Sequence, residues 1–238
     1  MSSFQFKEFA IRQSNSAMKV GTDAMVLGSI CTFPKSPKNL LDIGTGTGVL
    51  SLMLAQRFKP NTITAVEIDQ SASNDALYNF SQSPFSSKLT LVNEDIRFLN
   101  TTESFEAIIS NPPFFENSSK SDSGQRNLAR HTDYLSYLAL LQIAASLLTS
   151  DGLLWIIVPF ESFSLLCNLG KKNGLFVFHS VTINGKPDKP IRMVIAFSKT
   201  ASASTTAELT IRDNSGNYTE SYIDLTRSFH AVDLSKSR

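Results

Sequence analysis

The chain has 238 residues, 42% of them hydrophobic, and a formal net charge of +1. This length and apolar content suffice for one sizeable hydrophobic core. A membrane span needs about 18 consecutive apolar residues, and no stretch of the sequence is that long. The near-zero charge excludes a global basic field, and the two cysteines, Cys31 and Cys167, have neither disulfide nor metal-ligand spacing. We therefore expect a monomeric protein of the reducing cytoplasm, with no metal and no membrane contact.

From residue 39 onward, strand-like and helix-like segments alternate, which predicts an α/β fold whose mostly parallel, seven-stranded sheet carries helices on both faces. The predicted strands cover 39–43, 62–67, 89–92, 105–109, 153–158, 175–183 and 193–197. The predicted helices cover 49–58, 71–80, 133–148, 162–169 and 222–229, the second with Ser71 as a possible N-cap.

Polar segments separate these elements. We expect a turn at 150–152, a loop at 116–127, a connection at 184–190, a surface linker at 200–207 and a hairpin at 208–218. The predicted organisation is an N-terminal segment (1–38), a core (39–199) and a C-terminal extension (200–238) with a hairpin and a short helix.

A glycine-rich motif, DIGTGTG at 42–48, follows the first core strand and opens a helix. Glycines such as Gly44 and Gly46 let a cofactor approach the backbone, because a Cβ there would collide with it. The G-x-G-x-G spacing differs from the G-x-G-x-x-G of dinucleotide sites, and it favours a nucleoside that bears an amino acid. A tight turn with incidental acids nearby is the simpler alternative.

Three acidic residues lie where they could hold such a cofactor. Glu67 ends the second strand, where a carboxylate can accept from both ribose hydroxyls. Asp95 follows the third strand and could accept from an adenine amino group, while Asp42 could reach the cationic amine of a methionine part.

The tetrapeptide NPPF, at 111–114, follows the fourth strand. The lone pair of an exocyclic or amide nitrogen is delocalised, and two acceptors on its hydrogens would localise it. The side-chain oxygen of Asn111 and the backbone carbonyl of Pro112 can supply them. Pro112 and Pro113 keep the loop rigid, and Phe114 offers a flat face for a base. Taken alone, NPPF is also compatible with an ordinary rigid turn.

Together, DIGTGTG, AVEID (65–69), EDI (94–96) and NPPF resemble the class I Rossmann-like methyltransferases that modify exocyclic or amide nitrogens. Further segments resemble one subgroup, the bacterial tRNA1(Val) (adenine(37)-N6)-methyltransferase family. These are QSNSAMKVGTDAMVLGS (13–29), RNLARHT (126–132), PIRM (190–193) and YTESYIDLTRSF (218–229). The likeness covers nearly the whole chain.

The resemblance implies methyl transfer from S-adenosylmethionine to N6 of adenine 37 in a valine tRNA, giving N6-methyladenosine. It implies that residues 1–38 close over the cofactor site through Lys19, Thr22 and Asp23. It maps the catalytic tetrapeptide onto 111–114, and the cofactor motifs onto Asp42, Gly44, Gly46, Glu67 and Asp95.

The chain departs from the family pattern in one respect: the loop 115–125 is short of basic residues and holds only Lys120. Strong contacts with RNA phosphates must then come from basic residues elsewhere in the chain. For each such residue taken singly, a solvated surface charge is the simpler interpretation. We expect Arg126, Arg130, His131 and Arg192 to bind the substrate; the other candidates are Lys171, Lys172, Lys186 and Lys189.

Three other functions remain open at this stage. An amide nitrogen suits the same tetrapeptide, so a protein-glutamine N-methyltransferase is an alternative, although its usual helical N-terminal domain finds no room here. A methyltransferase of guanine N2 in rRNA is a second alternative. From another class, the chain could be a non-catalytic RNA-binding module that keeps the fold, against which the intact NPPF and cofactor acids argue.

Overall fold

The structure is a computed structural model that describes residues 3–14, 19–113 and 135–234. Strands alternate with helices along most of the described chain. The strands are β1 Ser3–Gln5, β2 Ala10–Arg12, β3 Asn39–Ile43, β4 Thr62–Val66, β5 Leu89–Val92, β6 Phe105–Ser110, β7 Leu148–Pro159, β8 Phe176–Lys186, β9 Lys189–Ser198 and β10 Thr205–Thr210. The helices are α1 Thr22–Ile30, α2 Val49–Phe58, α3 Gln70–Gln82, α4 Tyr137–Leu147, α5 Phe163–Lys172 and α6 Glu220–Thr226.

Eight of these strands form one sheet in the order β10-β8-β9-β7-β6-β3-β4-β5, and β1 pairs with β2 separately. Strand β9 is antiparallel to both of its neighbours, and the other pairs of the sheet are parallel. The expected α/β class is confirmed, with one strand more than the seven predicted.

The additional strand, β10, corrects part of the predicted linker. Residues 205–207 belong to β10, which pairs in parallel with β8 from Thr205 to Thr210. Most of its side chains are exposed, so no apolar alternation marked it. Backbone pairing at the edge of the sheet defines this strand, and a pattern of side chains could not reveal it.

The predicted connection 184–190 is mostly strand. Residues Lys186 and Lys189 pair with each other, which leaves a two-residue turn at Pro187 and Asp188. Asp188 adopts a left-handed φ of 57° after Pro187, whose ring fixes a negative φ, and this order of backbone angles fits a type II turn. The polar composition of this segment indicated a loop because both strands project beyond the apolar core.

Several other element bounds differ from prediction, and two of these differences have a clear structural cause. The turn expected at 150–152 is an irregularity inside β7, since Leu148 pairs with Phe105 but the next pair joins Leu153 to Ala107. Helix α3 begins after Asp69, whose carboxylate accepts from the Ala72 amide at 2.7 Å, and not after Ser71.

Alternate residues of the central strands pack on opposite faces of the sheet. Leu40 and Ile109 belong to one buried cluster, whereas Leu41 and Ile108 belong to another. Trp155 is fully buried and donates to the Thr32 carbonyl at 3.1 Å, as expected of a core residue. Buried apolar residues of both chain ends, from β1–β2 and from α6, join the first cluster.

Candidate active site

The carboxyl ends of four parallel strands gather the predicted site residues along one edge of the sheet. Asp42 and the glycine loop, residues 44–48, lie at the end of β3, and Glu67 follows β4. Asp95 follows β5, and Asn111 follows β6. The order of the elements therefore brings the predicted cofactor residues and the start of the tetrapeptide to the same edge.

The glycine loop leaves a cleft above the sheet. Gly44 and Gly46 adopt φ values of 69° and 57°, and a Cβ added to either would meet no atom within 4 Å in the described part of the chain beyond its two sequence neighbours. Gly48 has a different role, because a Cβ there would lie 2.4 Å from Cε1 of Phe80 on α3. The first two glycines thus keep the cleft open, and the third allows α3 to pack closely.

Asp42 is a fully buried carboxylate with one oxygen satisfied and one free. Its Oδ2 accepts from Oγ1 of Thr45 at 2.6 Å, from Oγ of Ser51 at 2.7 Å and from the Ser51 amide at 3.1 Å. Its Oδ1 has no hydrogen-bond partner among the described residues. Burial is the main cause that raises the pKa of Asp42 to about 6, and the hydrogen bonds from Thr45 and Ser51 oppose it. A cation at Oδ1 would satisfy the free oxygen.

Glu67 connects the glycine loop to the end of β4. Its Oε2 accepts from the Gly46 amide at 2.8 Å, and its Oε1 accepts from the Asp69 amide at 2.9 Å. The side chain of Asn93, beyond β5, donates to the Glu67 carbonyl at 2.7 Å. A carboxylate has about four acceptor positions, so each oxygen of Glu67 can still accept from a hydroxyl.

Asp95 is engaged by a residue that sequence reasoning missed. Its oxygens accept from Nε of Arg97 at 2.8 and 3.0 Å, and Oδ1 also accepts from the Arg97 amide at 2.9 Å. These hydrogen bonds from Arg97 lower the pKa of Asp95. An adenine amino group would have to share this carboxylate with the guanidinium.

The start of the tetrapeptide presents a second free acceptor. The side-chain oxygen Oδ1 of Asn111 is buried and has no hydrogen-bond partner among the described residues. Pro112 is also buried. A buried amide oxygen without a donor is costly, and the amine of a substrate would supply one. Phe114, the fourth residue of the motif, lies outside the described residues.

The predicted substrate-binding residues fall into two groups. Arg126, Arg130 and His131 lie outside the described residues. Arg192 lies at the start of β9, where its Nε donates to Oδ2 of Asp23 at 2.9 Å. This ion pair ties the N-terminal part of α1 to the sheet.

The N-terminal cofactor candidates lie beside this ion pair. Thr22 is the first residue of α1, and both Thr22 and Lys19 are exposed. Because Asp23 joins the start of α1 to Arg192 on β9, Lys19 and Thr22 belong to the same edge of the sheet as the glycine loop. Their contact with a cofactor stays a prediction.

The four lysines that are candidates for phosphate binding lie at two opposite edges of the sheet. Lys186 ends β8 and Lys189 begins β9, so both lie at the carboxyl edge with the glycine loop and Asn111. Lys171 and Lys172 end α5, just before β8 starts, and therefore lie at the opposite edge.

The described part of the chain has neither a cluster of metal ligands nor a helix able to cross a membrane. No three His, Cys, Asp or Glu side chains in that part are grouped so that they could ligate a metal ion. Across residues 3–14, 19–113 and 135–234, no helix has the length and apolar composition needed to cross a bilayer.

The sequence model of the methyltransferase small domain family matches residues 14–162. Curated relatives match over nearly their whole length. A tRNA1(Val) (adenine(37)-N6)-methyltransferase of Vibrio vulnificus is 41% identical over 95% of each chain. Its counterpart in Pseudoalteromonas translucida is 37% identical over 97% of this chain and 99% of its own.

This chain belongs to the tRNA1(Val) (adenine(37)-N6)-methyltransferase family. These relatives confirm the family that the sequence motifs resemble.

Solved structures agree with this assignment at the level of the fold. A protein described as a predicted O-methyltransferase from Agrobacterium tumefaciens superposes with a TM-score of 0.68 at 19% identity, over 87% of this chain and 96% of its own. The ribosomal protein L11 methylase of Lactobacillus delbrueckii gives 0.52 at 16% identity, over 75% and 77%. The Rossmann-like class I methyltransferase fold is confirmed.

Proposed function

We propose that this protein transfers a methyl group from S-adenosylmethionine to the N6 amino group of adenine 37 in a valine tRNA, in the cytoplasm. The main support for the proposal is the buried Oδ1 of Asn111, which has no hydrogen-bond partner within the described ranges and lies at the end of β6, next to the strand that precedes the glycine loop. The names of the relatives support the identity of the tRNA and of the modified base.

The residues at the carboxyl edge fit the cofactor. Asp42 Oδ1 is a buried acceptor without a hydrogen-bond partner in the part of the chain that the structure describes, and it suits the ammonium of the methionine part. Glu67 retains acceptor positions for the ribose hydroxyls, and the open space at Gly44 and Gly46 admits a ligand against the backbone. Asp95 would bind the adenine amino group, in competition with Arg97. When bound, S-adenosylmethionine supplies an electrophilic methyl group on its sulfonium.

Asn111 prepares the acceptor nitrogen. Its Oδ1 and the Pro112 carbonyl accept the two hydrogens of the adenine amine, which draws the nitrogen towards tetrahedral geometry and localises its lone pair. With its lone pair localised by Asn111 and Pro112, the nitrogen would be able to accept the methyl group that the bound cofactor would supply; the electron pair of the carbon–sulfur bond would stay on sulfur, and the methylated nitrogen would lose one proton to water. Positioning and electrostatics carry most of the acceleration, so no strong general base is needed.

The tRNA would approach the carboxyl edge, where the reacting groups lie. Strand β9 is two strands away from β6, or about 10 Å, and the hairpin formed by β8 and β9 continues beyond the last residue of β7, Pro159, which pairs with Arg192. Lys186 and Lys189 on this hairpin could therefore contact phosphates of the anticodon stem-loop while adenine 37 enters the cleft.

Nucleoside mass spectrometry tests the proposal. Purified protein should convert adenosine to N6-methyladenosine in a valine tRNA transcript when S-adenosylmethionine is present, and a transcript with guanosine at position 37 should remain unmodified. A deletion strain should lack N6-methyladenosine at position 37 of its valine tRNA. Methylation of both transcripts, or an unchanged tRNA in the deletion strain, would contradict the proposal.

A further inference from the structure

Asn79, on α3, joins two segments that are distant in sequence. Its Nδ2 donates to the Thr47 carbonyl in the glycine loop and to the Arg12 carbonyl in β2, both at 2.9 Å. Its Oδ1 accepts from the Arg12 amide at 2.8 Å. The residue is only 1% exposed, so these hydrogen bonds are shielded from bulk solvent.

Arg12 is held on α3 by its side chain as well. Its Nε donates to Oδ1 of the buried Asp75 at 2.9 Å, and its guanidinium lies 3.8 Å from the centre of the Tyr78 ring. Tyr78 and Asn79 both lie about one helical turn after Asp75, so the three side chains share one face of α3. This face therefore fixes β2 through both the backbone and the side chain of Arg12.

The glycine loop is thus supported from two sides. Glu67 accepts from the amide of Gly46, and Asn79 donates to the carbonyl of the next residue, Thr47. The ring of Phe80, next to Asn79, packs directly against Gly48. Loss of the hydrogen bond from Asn79 would free the loop at Thr47, whereas Gly46 would stay bound to Glu67 at the end of β4.

We infer that Asn79 is a positioning residue for cofactor binding, and that through it the N-terminal strand β2 contributes to cofactor affinity. The inference rests on the proposed cofactor site at residues 42–48. A ligand binds more weakly when its loop populates the binding conformation less often, so each group that holds the loop raises affinity. Because coupling is reciprocal, the bound cofactor must also stabilise the bonds between Asn79 and Arg12.

Calorimetry with S-adenosylhomocysteine, the demethylated cofactor, measures the first effect. Asn79→Ala should weaken binding about tenfold, the consequence of one net hydrogen bond, and Arg12→Ala about threefold. The matched control is Asn184→Ala, since Asn184 is also 1% exposed and donates to Glu208 between β8 and β10. That variant should lower the melting temperature and leave the affinity unchanged.

Two further measurements separate positioning from general stability. In the Asn79→Ala background, Arg12→Ala should cause no additional loss of affinity, because the connection between β2 and the loop is already broken. In the unaltered protein, saturation with S-adenosylhomocysteine should slow hydrogen exchange of the Arg12 amide. This second measurement needs no variant and applies even if Asn79→Ala does not fold.

The inference is overturned if Asn79→Ala and Asn184→Ala lose affinity equally, if the double variant shows additive losses, or if exchange at Arg12 does not respond to the ligand. A different result, no binding of S-adenosylhomocysteine by the unaltered protein, would overturn the proposed cofactor site. The two failures are therefore distinguishable.

Discussion

The hydroxyl of Ser110 donates a hydrogen bond of 2.8 Å to the carbonyl oxygen of Ile43, and this bond joins the ends of β6 and β3. Ile43 follows Asp42 in the chain, and Ser110 precedes Asn111. Asp42 Oδ1 and Asn111 Oδ1, the two buried oxygens at this edge that lack a hydrogen-bond partner among residues 3–14, 19–113 and 135–234, therefore lie at the ends of neighbouring strands, whose axes are about 4.8 Å apart. A fully buried bond thus fixes the acceptor side of the cleft relative to the cofactor side.

Replacement of Ser110 by alanine should slow catalysis more than binding. The loss of its hydroxyl frees the end of β6, and in-line methyl transfer is sensitive to small displacements of the acceptor. We expect kcat to fall about tenfold, with KM for tRNA and for cofactor changed less than about twofold. Steady-state methylation assays measure both parameters.

Ser146→Ala is the matched control for this effect. The Ser146 hydroxyl also donates to a carbonyl, that of Ile143, at 2.8 Å, but it lies on the exposed side of α4. An equal fall of kcat in both variants would show that the Ser110 bond has no special part in positioning.

Replacement of Asn111 by alanine should remove turnover and retain cofactor binding. The variant loses the acceptor that localises the amine lone pair, so kcat should fall by about two to three orders of magnitude. Single-turnover methylation measures this loss, and calorimetry should show an affinity for S-adenosylhomocysteine within about twofold of the original. Turnover above one tenth of the original rate would assign amine activation to another group.

The common edge of Asp42, Glu67, Asp95 and Asn111 could be predicted because each residue lies at the end of a strand or shortly after it. In a parallel sheet the carboxyl ends of the strands share one edge, so the sequence order of Asp42, Glu67, Asp95 and Asn111 already indicates their proximity. Local pattern and a topological rule were sufficient for this part of the site.

The residues that support the site could not be found in this way. Asn79 bonds to Arg12 and Thr47, which are 67 and 32 residues away, and nothing in the amphipathic pattern of α3 marks it. The Asp95–Arg97 pair was missed for a different reason, because an aspartate near an arginine on a short segment is common on surfaces. Such partners depend on packing, which a single sequence does not display.

As the pH rises, ionisation of Asp42 should lower the stability of the ligand-free protein and raise its affinity for the cofactor. The ordinary pKa of the carboxyl is 3.8, and burial raises the pKa of Asp42 to about 6 in the folded protein. Between these values the folded state binds more protons than the unfolded state, so the contribution of this group to stability is greatest below about pH 4 and is lost as the pH rises through 6.

A cationic ligand amine at Asp42 prefers the ionised carboxylate, so affinity should rise through the same range. Calorimetry with S-adenosylhomocysteine from pH 5 to 8 should show this increase, and thermal unfolding without ligand should show the loss of stability. Asp42→Asn should flatten both profiles and bind more weakly at pH 8. An unchanged pH dependence of affinity in Asp42→Asn would place the amine elsewhere.

The two pairs of lysines give a direct test of where the tRNA lies. Lys186 and Lys189 are at the carboxyl edge with Asn111, whereas Lys171 and Lys172 are at the opposite edge. Because each phosphate contact contributes about 0.7–0.9 to the slope of log affinity against log salt concentration, Lys186→Ala/Lys189→Ala should reduce the magnitude of that slope by about 1 to 2 and weaken tRNA binding severalfold at low salt.

The control pair carries the same change of charge, so it separates local contact from the net field of the protein. Lys171→Ala/Lys172→Ala should leave the slope unchanged, and neither double variant should alter the affinity for S-adenosylhomocysteine. Fluorescence anisotropy with a labelled anticodon stem-loop, measured from low to physiological salt, gives both quantities. Equal slopes for the two double variants would mean that the hairpin of β8 and β9 makes no phosphate contact, and that the RNA is held by other residues of the chain.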